Sequence, residues 1–152
     1  MKEYKSPDRK INFDLPSIFL AGSIEMGVAE NWQEKLTEEL KYESVVIFNP
    51  RRDDWDLSWE QSITNTKFVE QVEWELDMLD AASFIVMYFD PNTKSPISLL
   101  ELGLYASKGT LIVCCPDGFW RKGNVDIVCK RYNIPVYNDM NEFIEKIKAL
   151  VA

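Results

Sequence analysis

Apolar residues fall along the chain in two alternating rhythms. Short unbroken runs occur at Ser17-Ile18-Phe19-Leu20-Ala21, Val45-Val46-Ile47-Phe48, Phe84-Ile85-Val86-Met87-Tyr88-Phe89 and Thr110 to Cys115. Each run is followed by turn formers, the pattern of strands buried on both faces. Between them lie stretches with helical spacing. Ala29 to Tyr42 carries Trp32, Leu36 and Leu40 four residues apart. Ile63 to Leu79 sets Phe68, Val72, Leu76 and Leu79 on one stripe, and Ile97 to Ser107 is apolar nearly all round. Asn124 to Tyr132 reads as a short helix, Ile134-Pro135-Val136-Tyr137 as a short edge strand, and Met140 to Val151 as a final amphipathic helix. Arg51 to Ser62 is polar and bears tryptophans, and reads as a long loop.

Strands alternating with helices predict a parallel sheet covered on both faces. Right-handed crossovers leave few topologies, of which a three-layer flavodoxin-like (Rossmann-like) α/β domain of five strands, order 2-1-3-4-5, is favoured. This domain is expected over residues 17–152, with residues 1–16 as an N-terminal extension. In such sheets ligands bind beyond the carboxyl ends of the strands. Those ends are Gly22-Ser23, Asn49 to Trp55, Asp90 to Ser95 and Pro116-Asp117-Gly118.

Composition narrows the chemistry. The 152 residues, 46% hydrophobic and 28% charged, suit one globular domain. No apolar run approaches the roughly 20 residues that span a bilayer. Met1 to Asp14 has no apolar core of the signal-peptide kind, so a cytoplasmic location is expected. Cys114 and Cys115 sit inside an apolar run and, with Cys129, lack CxxC spacing, so they read as core thiols. The absence of histidine from the sequence removes His-based triads and His-ligated zinc and leaves acid, base or nucleophile roles to carboxylates. A net charge of -8 argues against a nucleic-acid polymer as ligand, but not against a single nucleoside.

Two carboxylates stand out. Ser95-Pro96 is a helix start, Ser as N-cap and Pro as the first helical residue. Glu101 then lies in the second turn with leucines on both sides. A carboxylate there must be paired or must face a cavity. Ser98-x-x-Glu101 also fits a capping box, provided the helix begins at Ser98. Glu75 lies seven residues after Phe68 and four before Leu79, so it shares their stripe or its rim. If both reach the strand ends, they can flank one glycosidic bond, one attacking the anomeric carbon and the other managing a proton. The loop residues Asn49, Arg51, Asp54 and Trp55 can stack on a nucleobase and bond its edge, or can form an ion-paired surface loop with its tryptophans tucked inward.

These residues together resemble the nucleoside 2-deoxyribosyltransferase superfamily, most closely its deoxyribosyltransferase-like branch. The resemblance is carried by Ile18 to Ile24, Asn49-Pro50-Arg51-Arg52, Trp74-Glu75-Leu76, Ala81 to Tyr88, Ser95-Pro96-Ile97-Ser98 and above all Glu101-Leu102-Gly103-Leu104-Tyr105-Ala106. It implies that Glu101 attacks C1′ of a deoxyribose and that the covalent glycosyl-enzyme passes the sugar to another base or to water. Glu75 matches a family aspartate that contacts the base and manages its proton. Gly22, Ser23 and Ser95 match phosphate-side positions of related deoxynucleoside-monophosphate N-glycosidases; Asp90, at the same strand end, and Ser98, in the resembling segment that starts at Ser95, are further substrate-binding candidates. It further implies a homodimer or larger assembly, with Asn124 the residue donated across the interface, and neither metal nor organic cofactor.

Three departures from the family pattern are visible. A family tyrosine beside the nucleophile is Phe19 here. Glu25 stands where the monophosphate hydrolases carry an arginine, which favours nucleoside over nucleotide. The aspartate is Glu75, one methylene longer. The expected activity is transfer of a 2′-deoxyribosyl group between bases. The alternatives are hydrolysis of a deoxynucleoside or deoxynucleotide, and nucleoside binding without turnover.

Overall fold

Alternation along each strand decides which helices it meets. In β2 (Ser17–Gly22) Ile18 and Leu20 face one side of the sheet, while Phe19 and Ala21 face the other. In β3 (Val46–Asn49) Val46 and Phe48 share the side of Phe19, and Ile47 lies opposite. The Phe19 side is covered by α2 (Thr66–Ala81), α3 (Pro96–Tyr105) and α4 (Lys122–Arg131) through residues such as Trp74, Leu102 and Val125. The Ile18 side is covered by α1 (Trp32–Glu39) and α5 (Met140–Val151) through Trp32, Leu36, Phe143 and Ile147. The result is the expected three-layer α/β arrangement. The computed structural model describes residues 1–12, 14–24 and 30–152.

Among the described residues the sheet has six parallel strands in the order β1-β3-β2-β4-β5-β6, not five. With β4 (Phe84–Tyr88), β5 (Leu111–Cys114) and β6 (Val136–Tyr137), the last five positions reproduce the predicted 2-1-3-4-5 order. The addition is β1 (Lys2–Lys5), paired with β3 from inside the stretch taken for an extension. Lys2-Glu3-Tyr4-Lys5 contains one apolar residue, because an edge strand buries little. Tyr4 alone of the four is buried, with its ring 6.4 Å from that of Phe48.

Helix ends follow their caps. Asn65 accepts from the backbone N–H groups of Lys67 and Phe68, so α2 starts at Thr66 and leaves Ile63 exposed outside it. Asn31 caps α1 through Glu34 N–H; the predicted start at Ala29 lies outside the described residues. Helix α3 tightens into a 3-10 turn over Ala106–Lys108 and stops at Gly109 with φ 79°.

Candidate active site

Helix α3 begins at Pro96, so Ser98 is its third residue and Glu101 its sixth. The capping-box alternative, which needs a start at Ser98, is therefore not realised. Ser95 is the flanking residue, in the left-handed region at φ 46°, and its hydroxyl does not cap the helix. The buried stripe of α3 is Ser98, Glu101, Leu102 and Tyr105. Glu101 thus points inward, 8% exposed. Burial raises its pKa from 4.5 to about 8, and the neighbouring charge of Glu75 adds to the rise.

Glu75 comes from α2, on the same side of the sheet. Burial pushes it up to about 7, opposed by a hydrogen bond from Gln71 Nε2 to Glu75 Oε1 at 3.1 Å. Phe19 lies on that side too, fully buried, its ring 6.2 Å from that of Trp74. It can offer no hydroxyl to an ionised carboxylate. Glu101 feels the charge of Glu75, and burial raises both, so each carboxyl keeps its proton to higher pH than an ordinary carboxylate. That is equipment for nucleophilic attack by one and proton transfer by the other.

The strand ends carry a hydroxyl cluster. Gly22 has φ 122°, and a Cβ there would lie 2.2 Å from the Tyr88 carbonyl oxygen, so only glycine lets β2 run this close to β4. Ser23 follows, its Oγ 3.0 Å from Thr93 Oγ1 and 2.5 Å from Ser95 Oγ. Thr93 and Ser95 are 2.7 Å apart. Asp90 is buried and accepts from Glu30 N–H and Asn92 N–H, while its own N–H donates to Ser23 Oγ. Its carboxylate fastens the loops around the cluster.

The predicted base-reading residues divide. Asn49 Nδ2 donates to Glu3 Oε1, and Arg51 Nε donates to Gln33 Oε1 of α1. With Glu3, Lys5, Glu34 and Lys35 they line a cavity of about 730 Å³ on the α1 side. Glu75 and Glu101 come from the opposite side, so a base touched by both groups must lie across the strand ends. Asp54 is bonded to Arg52, and the Trp55 ring stands edge-on to Trp59 at 5.1 Å. The loop is therefore ion-paired, with its tryptophan rings against each other. Ser98 is buried on the stripe of Glu101, and Asn124 is exposed on α4. Glu25 lies outside the described residues.

Three residues not singled out from the sequence belong to this architecture. Gln71 precedes Glu75 by one helical turn, a spacing that could have revealed it. Thr93 completes the hydroxyl cluster. Arg52, rather than Arg51, anchors the loop through Asp54, two residues on, and through Glu70 of α2, which lies too far along the chain for spacing to reveal it. Among the described residues no group of three His, Cys, Asp or Glu is placed to hold a metal ion. None of the helices described there is long and apolar enough to cross a membrane.

A model of one protein family, described as nucleoside 2-deoxyribosyltransferase like, matches residues 15–119. The matched stretch contains Gly22, Ser23, Glu75, Ser95 and Glu101. A search of curated proteins finds no match.

Proposed function

The chain belongs to the nucleoside 2-deoxyribosyltransferase-like family, and from that premise we propose that it cleaves the N-glycosidic bond of 2′-deoxynucleosides and transfers the sugar to another base. The observation that carries the reading is Glu101, an acidic side chain turned inward on an apolar helix beside a second desolvated carboxylate. A Glu101 carboxylate oxygen forms a bond to C1′ as the bond from C1′ to the base nitrogen breaks. Glu75 delivers a proton to the departing base. The incoming base nitrogen then attacks C1′, releases the Glu101 carboxylate and returns its proton to Glu75.

Burial raises the pKa of both Glu101 and Glu75, so each resists ionisation, and attack requires Glu101 to be the one that gives up its proton. Positive charge developing on the sugar ring favours the ionised form of Glu101 and moves the proton toward Glu75. The substrate itself thus completes the protonation state. Nucleoside and free base are the partners, in the cytoplasm, where three free buried thiols are at home. A homodimer or larger assembly, with Asn124 at its interface, completes the proposal, as does a domain over residues 17–152 preceded by an N-terminal arm.

Incubation with a deoxynucleoside and a different free base, followed by chromatography, tests it. Base exchange by the parent and none by Glu101→Ala supports the reading; equal exchange by both removes the nucleophile assignment. Free deoxyribose formed without an acceptor base would make the protein a hydrolase with the same nucleophile. Mass spectrometry after trapping with a 2-fluoro-deoxynucleoside should find the sugar on the peptide containing Glu101.

A second reading, nucleoside binding without turnover, is favoured by one observation. Phe19 leaves Glu101 without the hydroxyl that would stabilise its ionised form. Calorimetric binding with no exchange and no adduct would establish it.

A further inference from the structure

Gln71 is buried, and every polar atom of its side chain is engaged. Nε2 donates to the Pro50 carbonyl at 2.8 Å and to Glu75 Oε1 at 3.1 Å, while Oε1 accepts from Ser6 Oγ at 2.5 Å. A primary amide has two N–H donors, and both are used. Turning the amide over would set its oxygen against a carbonyl and a carboxylate, two acceptors, so its orientation is dictated by its surroundings.

We propose that Gln71 is a positioning residue for Glu75, and that Ser6 holds it in place, making the N-terminal segment a working part of the active site. The proposal rests on the reading of Glu75 as the proton-handling carboxylate. The segment is fastened to α2 at more than this point. Ser6, Asp8 and Arg9 contact Gln71, Trp74 and Asp77 respectively, three α2 residues spaced by three. Trp74 Nε1 donates to the Asp8 carbonyl at 2.7 Å, and Arg9 Nη1 lies 2.8 Å from Asp77 Oδ2. Pairing of β1 with β3 fixes where this segment starts. Ser6 lies before the part of the chain that matches the family, residues 15–119.

An N–H donor steadies the ionised form of the carboxylate that accepts it. Without Gln71, Glu75 would keep its proton to higher pH, and its side chain would be free to leave the place from which it reaches a base. Of the titratable groups on the other elements, Glu101 of α3 is the one coupled to Glu75, whose charge raises the Glu101 pKa. Around Gln71, Pro50 presents a carbonyl and Ser6 a hydroxyl, neither of which titrates. Arg9 pairs with Asp77, and Glu70 pairs with Arg52.

The test is a carbon-13 NMR titration of protein labelled at its glutamate side-chain carboxyls, with Glu75 assigned by its loss in Glu75→Gln. In Gln71→Met, which keeps the volume and removes the donors, the Glu75 midpoint should rise by about one pH unit. Ser6→Ala should move it the same way by a smaller amount. An unmoved midpoint in folded Gln71→Met overturns the proposal. If that variant does not fold, Ser6→Ala decides alone, and an unmoved midpoint there overturns it. The titration needs no turnover, so it stands even if no deoxynucleoside is processed, an outcome that would remove the functional reading instead. Where turnover is measured, the limb of the pH–rate profile assigned to Glu75 should shift with the midpoint while KM holds.

Discussion

Leu100 and Glu101 are adjacent in sequence and face opposite ways: Leu100 is 59% exposed and Glu101 8%. A helix advances about 100° per residue, so one of two neighbours can face the core while the other does not. On hydrophobicity alone Leu100 should have been the inward one. Ile97 and Leu104 are exposed as well, so the helix leaves three large apolar residues outside while a carboxylate shares the buried stripe with Leu102 and Tyr105. Burying that group costs stability unless it does something.

That cost gives the first prediction. Glu101 has a folded-state pKa of about 8 against 4.5 when unperturbed. Below the lower value both folded and unfolded chains are protonated, and no penalty exists. As pH rises toward 8 the unfolded chain ionises first and stability falls; above 8 the penalty is complete. Glu101→Gln should therefore match the parent at pH 4 and exceed it at pH 9, by on the order of 2 to 4 kcal/mol. Chemical denaturation at the two pH values measures the difference. Parallel pH dependence in the two proteins would mean that Glu101 is not held protonated.

Phe19→Tyr is the second. Phe19 and Glu101 lie on the same side of the sheet, and a phenol hydroxyl directed at the carboxylate would steady its charge. The expected result is a pH–rate profile whose nucleophile limb moves down by about one unit, with higher activity at pH 6. If the profile stays put and the melting temperature drops, the hydroxyl has met only apolar core, and Glu101 is tuned by other groups.

Much of the fold was legible because its signals are local and strong. The runs around Ile18, Ile47, Val86 and Val113 are too apolar to be anything but central strands or buried helix, and their length chose strand. Lys2 to Lys5 gave no such signal, because an edge strand with one buried tyrosine resembles a loop in composition. At the site, Ser95-Pro96 marks the helix start in the sequence, but Ser98-x-x-Glu101 fits a capping box equally well, and only the start at Pro96 decides between them. Asn49 and Arg51 share the strand-end region with Glu101 in the sequence, but strand-end position does not say which side of the sheet a residue faces. Extending the alternation of β3 by one residue would have put Asn49 on the side of Ile47, facing α1. Gln71 was hidden by chemistry rather than position: a glutamine on a helix is usually solvated, and this one is buried because Pro50 and Ser6, far away in sequence, satisfy it.

Gly22→Ala is the third prediction. The added methyl would meet the Tyr88 carbonyl oxygen at 2.2 Å, and the backbone at φ 122° is one that an alanine rarely adopts. Backbone cannot rotate aside as a side chain can, so β2 and β4 must separate at their ends. A loss of roughly 2 to 4 kcal/mol is expected. Ser23 should move with the strand and break its hydrogen bonds to Thr93 and Ser95, so any substrate binding should weaken further than the stability loss alone explains. Thermal melting and ligand titration together measure both. An alanine variant as stable as the parent would place the chain in a different backbone path at this turn.

The last prediction concerns the loop. Arg52 reaches Asp54 Oδ1 with Nε at 2.7 Å and Glu70 Oε1 with Nη2 at 2.8 Å, and its guanidinium lies 5.1 Å from the Trp59 ring centre. The Arg52 side chain is 2% exposed and the Asp54 side chain 66%, so solvent weakens that pair, while the Glu70 oxygen that meets Arg52 is buried and the guanidinium also packs against Trp59. Arg52→Met should cost about 1 to 2 kcal/mol and release the stretch from Asp53 to Trp59 from α2. Amide hydrogen exchange there should quicken while β2 and β4 stay protected. Arg52→Lys should not restore the parent, because one ammonium cannot fork between Asp54 and Glu70 while stacking on the indole. If lysine does restore slow exchange, charge alone holds the loop, and the planar geometry of the guanidinium is incidental.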